Sequence, residues 1–410
     1  MELKPRAYDK IIQLTNKGVT IPNPLTLDIG DEVNIDRISG KGVTLYPGCR
    51  IYGAKTVISS GAQLGYEGPA TIDDCQIGPK VELKGGYFTK SVFLEKSNMS
   101  MGAHVREGCI LEEEAGGAHC VGLKQTILFP FVTLGSLINF CDCLMAGGTS
   151  RKNHSEVGSS YIHFNFTPDG NKTTASLFGD VPRGVMLNQP PIFLGGQGGV
   201  VGPVRLGFGT VVAAGSVLRS DMTQDNKLII AKVHRGKILD ATPHAYINLP
   251  RIIGNNIIYL ANLVALDQWY RHVRQPFFNR QEFGAFIYAG ALEKIALAKK
   301  ERINRLKTLA EKVPGHNNAK RELLENIDSI CGLFDMELTD SMISSSLDKF
   351  LAAANKNIQN DATDYTAAIQ ALTPAVTQQG VIWLQQIIDS LCGRAALMLK
   401  SLNLFITKNE

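Results

Sequence analysis

The sequence predicts a mainly β first part, a parallel β-helix, followed by an α-helical domain, and three observations carry that reading. Aliphatic residues recur six apart in the first 250 residues: Leu206, Val212 and Leu218; Ile51 and Val57; Ile77 and Leu83. Aliphatic–Gly pairs punctuate the same region, at Ile77-Gly78, Met101-Gly102, Val121-Gly122, Leu134-Gly135, Val157-Gly158 and Leu206-Gly207. From about residue 255 the apolar spacing changes to three and four. A six-residue period suits a coil with three short faces, each giving one aliphatic side chain to a central stack. Its corners need small residues or residues that tolerate positive φ, hence Gly, Ser, Asn and Asp. A Gly-rich β-sandwich would show longer alternating strands with turns every ~8–12 residues. The period drifts between residues 85 and 130.

Residues 1–25 read as an N-terminal lead-in, 26–250 as the β-helix with an inserted loop near 143–200, and 251–410 as helices. In the last part Ile257, Leu260, Leu263, Leu266 and Tyr270 mark one helix, with Asn255 or Asn256 as its cap. Leu292, Ile295, Ile303, Leu306 and Leu309 mark a second over 283–312, and Leu384, Ile387, Leu391, Met398 and Leu402 a last one over 381–403. Pro314-Gly315 and Thr373-Pro374 mark breaks, so a small helical bundle is expected. The basic run Lys299-Lys300-Glu301-Arg302-Ile303-Asn304-Arg305-Leu306-Lys307 is expected to be a solvated helix face and not a nucleic-acid patch.

Composition narrows the function classes. The 410 residues are 44% hydrophobic and 20% charged, a globular balance. A net charge of +4 gives no global case for nucleic acid, yet it suits an anionic small molecule. The start, with Glu2, Lys4, Arg6, Asp9 and Lys10, does not read as a secretory signal, and no uninterrupted apolar run of ~18 residues suggests a membrane span. The eight cysteines contain no CxxC, Cys141 and Cys143 alternate on one face of an expected strand, and buried free thiols in a cytoplasmic protein are expected.

Motifs within 101–235 are more specific. Asn165-Phe166-Thr167-Pro168-Asp169-Gly170-Asn171-Lys172-Thr173 precedes Gly179-Asp180; then come Gly202-Pro203-Val204, Val212-Ala213-Ala214-Gly215-Ser216-Val217 and Leu228-Ile229-Ile230-Ala231-Lys232-Val233. Upstream stand Val105-Arg106-Glu107-Gly108 and Val121-Gly122-Leu123-Lys124. In this order they resemble the left-handed β-helix hexapeptide-repeat acyltransferases. In detail they resemble the acetyltransferase domain of the bifunctional N-acetylglucosamine-1-phosphate uridyltransferase / glucosamine-1-phosphate acetyltransferase. The resemblance covers about a third of the chain and none of its helical part.

The resemblance implies that Arg106 and Lys124 grip a sugar phosphate, that Asn139 stands at the family's Tyr position, and that Asn165 and Lys172 belong to a ligand-facing loop over 163–180. It places Ala214 and Lys232 near coenzyme A, with Lys232 in an arginine's place and an oxyanion-binding N–H near Ala214. The chain departs from the family where the catalytic His should be. Gly135-Ser136-Leu137-Ile138-Asn139 puts Ser136 there, and Ser136 is no base by itself. His154 and His163 are the substitute bases nearest in sequence, each also readable as a structural histidine. Gly195-Gly196-Gln197-Gly198-Gly199 stands where the family has a Ser near the acetyl group, and no Gly-rich nucleotide loop opens the chain, so nucleotidyltransferase (pyrophosphorylase) activity is not expected. His104, His119, His154 and His163 lack the spacing of the β-helix carbonic anhydrases, so no metal is expected.

The expected function is therefore acyl-CoA-dependent N-acyl transfer, with acetyl-CoA as co-substrate, to an amino-sugar phosphate or nucleotide amino sugar in a cytoplasmic homotrimer. The alternative is a non-catalytic sugar-phosphate- or nucleotide-sugar-binding protein that lost the base. Neither reading involves nucleic acid or a membrane.

Overall fold

The computed structural model describes residues 4–165, 172–231, 236, 238, 240, 248–313, 318–336, 341–358 and 364–405. Its first part is a left-handed parallel β-helix of about 11 turns, and a helical region follows. Helix α1 (Tyr8–Lys17) covers the open end of the first coil, with Ile11 and Leu14 buried. Strands then run from Asp28 to Ile229, every pairing between them parallel. Most strands are only two to four residues long, so helix (39%) outweighs strand (21%) although the coils span about half the chain.

Each coil has three faces. The first runs from Asp28 through Arg50, Thr71, Tyr87, His104, Gly122 and Asn139. The second runs from Val57 through Gln76, Val92, Ile110, Ile127, Leu144 and Leu177. The third runs from Thr44 through Gln63, Glu82, Asn98, Gly116, Thr133 and Glu156. Inside, aliphatic and aromatic side chains stack coil on coil, Ile51, Ile72, Phe88, Val105, Leu123 and Phe140 on one side.

The drift in the six-residue period has a geometric cause. Asp74, Lys90, Gln125 and Asp142 hold positive φ at single-residue corners between the first and second faces. There the inward residues are five apart: Ile72 to Ile77, Phe88 to Phe93, Leu123 to Leu128, Phe140 to Met145. The same corner separates Cys141 from Cys143, so these two do not alternate on one face: Cys141 lies on the first and Cys143 on the second. All eight cysteines are free and six are buried, with Cys120 exposed and Cys392 half-buried.

The second face is apolar outside as well as inside. Val57, Val92, Ile110, Ile127, Leu144 and Leu177 are buried in a core shared with the helices. Val57, which the sixfold spacing placed in the central stack, therefore points the other way, and Ile58 fills the stack. Each such side chain removed from water contributes roughly 1.5–3 kcal/mol, so this row fixes the helical region on that face.

That region comprises α3 (Leu249–Trp269), α4 (Gln275–Phe278), α5 (Gly284–Lys312), α6 (Asn318–Gly332), α7 (Ser341–Ile358), α8 (Tyr365–Gln370) and α9 (Pro374–Met398), while a short α2 (Val181–Gly184) arises within the coils. The N-cap of α3 is Asn248, not Asn255 or Asn256. Those two are buried and tie the helix to the coils, Asn255 donating to Asp221 and Asn256 to the Thr173 carbonyl. Thr373 caps α9 and Pro374 opens it, as a proline at a first helical position can. Pro314-Gly315 lies outside the described residues. The stretch Leu249–Phe278 is long and apolar enough to cross a membrane, but 72% of its most apolar window is buried here. Trp269 of this stretch stacks on Phe350 of α7, which stacks in turn on Trp383 of α9.

Candidate functional site

Alternation along the first face decides which side chains reach the surface. Val105, Leu123 and Phe140 point inward, so Arg106, Lys124 and Asn139 point out. The Arg106 N–H donates to the Leu123 carbonyl at 2.8 Å, Gly122 pairs with Asn139, and Lys124 pairs with Cys141. The two cations thus stand on neighbouring coils, about 4.8 Å apart by strand spacing. Arg106 Nη2 lies 3.8 Å from Cys141 Sγ, and Lys124 Nζ meets Glu107 Oε1 at 2.6 Å. Burial alone would raise the Glu107 carboxyl; the bond to Lys124 and the neighbouring cations outweigh it and leave it below its ordinary range. Lys124, one of the two cations, is thus already paired within the chain.

Beyond the corner at Asp142 come the ends of the polar stretch. Asn165 Nδ2 donates to Asp142 Oδ2 at 3.1 Å, and Arg302 Nη1 donates to the Lys172 carbonyl at 2.8 Å. Arg302 also reaches Asp142 Oδ1 at 2.6 Å. Residues 166–171, including Pro168-Asp169-Gly170, lie outside the described residues. Arg302 was expected on a solvated face. It is 2% exposed, because α5 lies on the coils here and Asp142 needs a partner. Lys300 and Asn304 of the same run are exposed.

The histidines sort by position. His163 points into the coil interior between Phe140 and Phe178 and is 2% exposed. Its Nδ1 bonds the Cys141 carbonyl at 2.5 Å and its Nε2 the Ser176 hydroxyl at 2.7 Å. Burial pushes its imidazole down to about 4. With both nitrogens occupied inside the stack, it is a structural histidine and not a candidate base. His154 lies in the segment joining the second face to the third, its Nδ1–H donating to the Arg151 carbonyl at 2.9 Å and its Nε2 3.5 Å from Glu156. The third face separates it from Ser136 and Asn139.

Ser136 has a partner that the sequence reading passed over. His119, exposed one coil earlier at the same corner, places Nδ1 2.8 Å from Ser136 Oγ. The signal was available in the spacing: Leu123 to Phe140 and His119 to Ser136 are the same 17-residue step from coil to coil.

Ala214 is exposed at that same corner, but Ser136, Ser159, Gly196 and Gly215 mark successive coils. Three steps of strand spacing put it about 14 Å from Ser136. Within one chain that is too far for its N–H to stabilise an oxyanion formed beside Ser136. Lys232 lies outside the described residues. The glycine run between them serves coil stacking: a Cβ on Gly195 would sit 2.4 Å from the Ala214 nitrogen and one on Gly196 2.7 Å from the Ser159 carbonyl oxygen. Among the described residues no group of three or more His, Cys, Asp or Glu side chains could hold a metal ion. A cavity of about 330 Å³ opens between α2, α8 and α9, lined by residues such as Arg183, Gln370 and Thr377, away from the first face.

No family model matches the chain. The bifunctional protein GlmU of Thermotoga maritima is 28% identical over 214 residues, 52% of this chain and 42% of GlmU. GlmU of Trichlorobacter lovleyi is 26% identical over 219 residues, 53% of this chain and 42% of the relative. GlmU of Staphylococcus haemolyticus is 26% identical over 224 residues, 55% and 44%. The chain thus spans less than half the length of these relatives. The parallel coils and the shared segment, about half of the chain, together fit the left-handed β-helix acetyltransferase domain of GlmU.

Proposed function

We propose that the first face binds the phosphate of an amino sugar or nucleotide amino sugar, and that the protein transfers an acyl group, acetyl foremost, from acyl-CoA to its amine. The observation that carries this reading is the convergence of Arg106, Lys124, Asn139 and Ser136 on one outward face and its edge. Arg106 offers a planar fork for a phosphate and Lys124 a point charge. Asn139 offers donor and acceptor together for hydroxyls. Ala214, and by its motif Lys232, would lie along the coenzyme. The amine must lose a proton as it attacks, and a positioned acceptor contributes ~10²–10⁴-fold to such a step.

The site is an open surface of one chain, so we place it in a cytoplasmic homotrimer whose neighbouring copy closes it. Phe193, Val211 and Leu228 support this: they form a row on the last coils of the third face and are 40%, 41% and 67% exposed. Earlier coils fill the same row with Gln63, Glu82, Asn98, Thr133 and Glu156. A copy seated there would border the corner that carries Ser136.

The pairing of Lys124 with Glu107 and the burial of His163 favour a second reading, a binding protein without turnover. A screen of amino sugars, their phosphates and their UDP forms with acetyl-CoA, followed by free thiol release, separates the two. Turnover supports the transferase. Ligand-dependent thermal stabilisation without thiol release supports the binding protein.

A further inference from the structure

The geometry points to a Ser136–His119 proton relay as the group that accepts the amine's proton, an inference that rests on the transferase reading of the first face. Ser136 Oγ lies 2.8 Å from His119 Nδ1. The Ser136 N–H donates to Ser159 Oγ at 3.2 Å on the next coil, so the serine is held from both sides. Its backbone is fixed too: the Leu137 N–H donates to the His119 carbonyl, and the Ser160 N–H to the Ser136 carbonyl. Cys120, Leu137 and Ser160 repeat one positive-φ corner over three coils, so the residue before each lies in one column. His119 is exposed and Ser136 half-buried, three residues before Asn139 on the edge of the face that carries Lys124 and Arg106.

The fold does not need this bond. Water can replace a hydrogen bond between surface side chains, so its net contribution to stability is small. It does supply the chemistry that Ser136 lacks alone. With Nδ1 unprotonated, His119 accepts the hydroxyl hydrogen bond, and Ser136 Oγ is left facing the ligand side. The amine nitrogen attacks the thioester carbonyl carbon; the C–N bond forms and the C–S bond breaks. The amine's proton passes to Ser136 Oγ as the serine's own proton passes to His119 Nδ1. The imidazolium then returns a proton by the same path to the departing sulfur. Amine and thioester become amide and thiol, and His119 ends neutral. Ser136 touches the reacting group, whereas His119 acts through it. His154 and His163 take no part.

The test uses the full chain, acetyl-CoA and whichever member of the amino-sugar panel the wild type turns over. Ser136→Ala and His119→Ala should each lower kcat by ~10²–10⁴-fold with KM for the amino sugar nearly unchanged. The double variant should be no slower than the slower single one, because the two residues act as a unit. Added imidazole should restore His119→Ala but not Ser136→Ala, an effect no structural role produces. His119→Gln, which keeps bulk and polarity, should remain slow. Wild-type turnover with His119→Ala at full kcat overturns the relay and leaves the transferase standing. No wild-type turnover with any member of the panel overturns both.

Discussion

Arg302 of α5 and Asp142 of the coils form an ion pair at 2.6 Å with both residues buried, 2% and 5% exposed. The pair joins the helical region to both ends of the polar stretch, since Asp142 also accepts from Asn165 and Arg302 also donates to the Lys172 carbonyl. Breaking one partner strands a buried charge, which costs ~3–5 kcal/mol, whereas replacing both with apolar residues is often neutral. Arg302→Ala should therefore lower stability by about that amount in chemical denaturation. Arg302→Met combined with Asp142→Asn, which removes both charges and keeps a residue suited to the positive-φ corner, should recover most of it. An Arg302→Ala variant as stable as wild type would show that the pair does not hold this junction.

Glu107 makes a second, opposite prediction. It occupies Lys124 at 2.6 Å, so an incoming phosphate must compete with a carboxylate. Glu107→Gln should tighten binding of glucosamine 1-phosphate several-fold by calorimetry, and the gain should shrink as salt is raised. Weaker binding would mean that Glu107 itself contacts the ligand.

Stability should depend on pH through two buried groups with opposite signs. His163 is pushed down to about 4 by burial, so its contribution is full above the ordinary histidine value of about 6.5 and is lost as pH falls toward 4. Glu113 shares Arg274 with Glu112, and burial pushes its carboxyl up to about 7. Its contribution is full below the ordinary carboxylate value of about 4.3 and is lost as pH rises through 7. Melting of Glu113→Gln against wild type should show the variant gaining relative stability from pH 5 to 8. Parallel profiles would remove Glu113 from the account.

The coils were legible because an inward aliphatic side chain every six residues is a demand of the stack itself. What surrounds the coils was less so. Val57 looks like any member of the sixfold row, and only the helices on the second face explain why it points outward. Arg302 sits in a charge run whose neighbours Lys300 and Asn304 are exposed, and a single buried partner distinguishes it. His163 and His119 have the opposite histories. Proximity to the polar stretch favoured His163, while the coil-to-coil step that stacks His119 on Ser136 relates residues far apart in sequence.

The apolar row Phe193, Val211 and Leu228 predicts self-association. Sedimentation at micromolar concentration should give a trimer for the wild type, and Phe193→Asp with Val211→Asp should give a monomer of unchanged helix content. A wild-type monomer would leave the site open on one side and weaken the proposed function.

The central claim is that the first face binds an anionic sugar through Arg106 and Lys124, whichever of the two functional readings holds. Calorimetry with amino-sugar 1-phosphates and UDP amino sugars tests it most directly. Loss of one charge-assisted bond of ~1.5–3 kcal/mol corresponds to about tenfold or more in affinity. Binding to the wild type, weakened at least that much by Arg106→Ala and further by Lys124→Ala, is the predicted result. Equal affinity of the Arg106→Ala variant for every ligand that the wild type binds would contradict it.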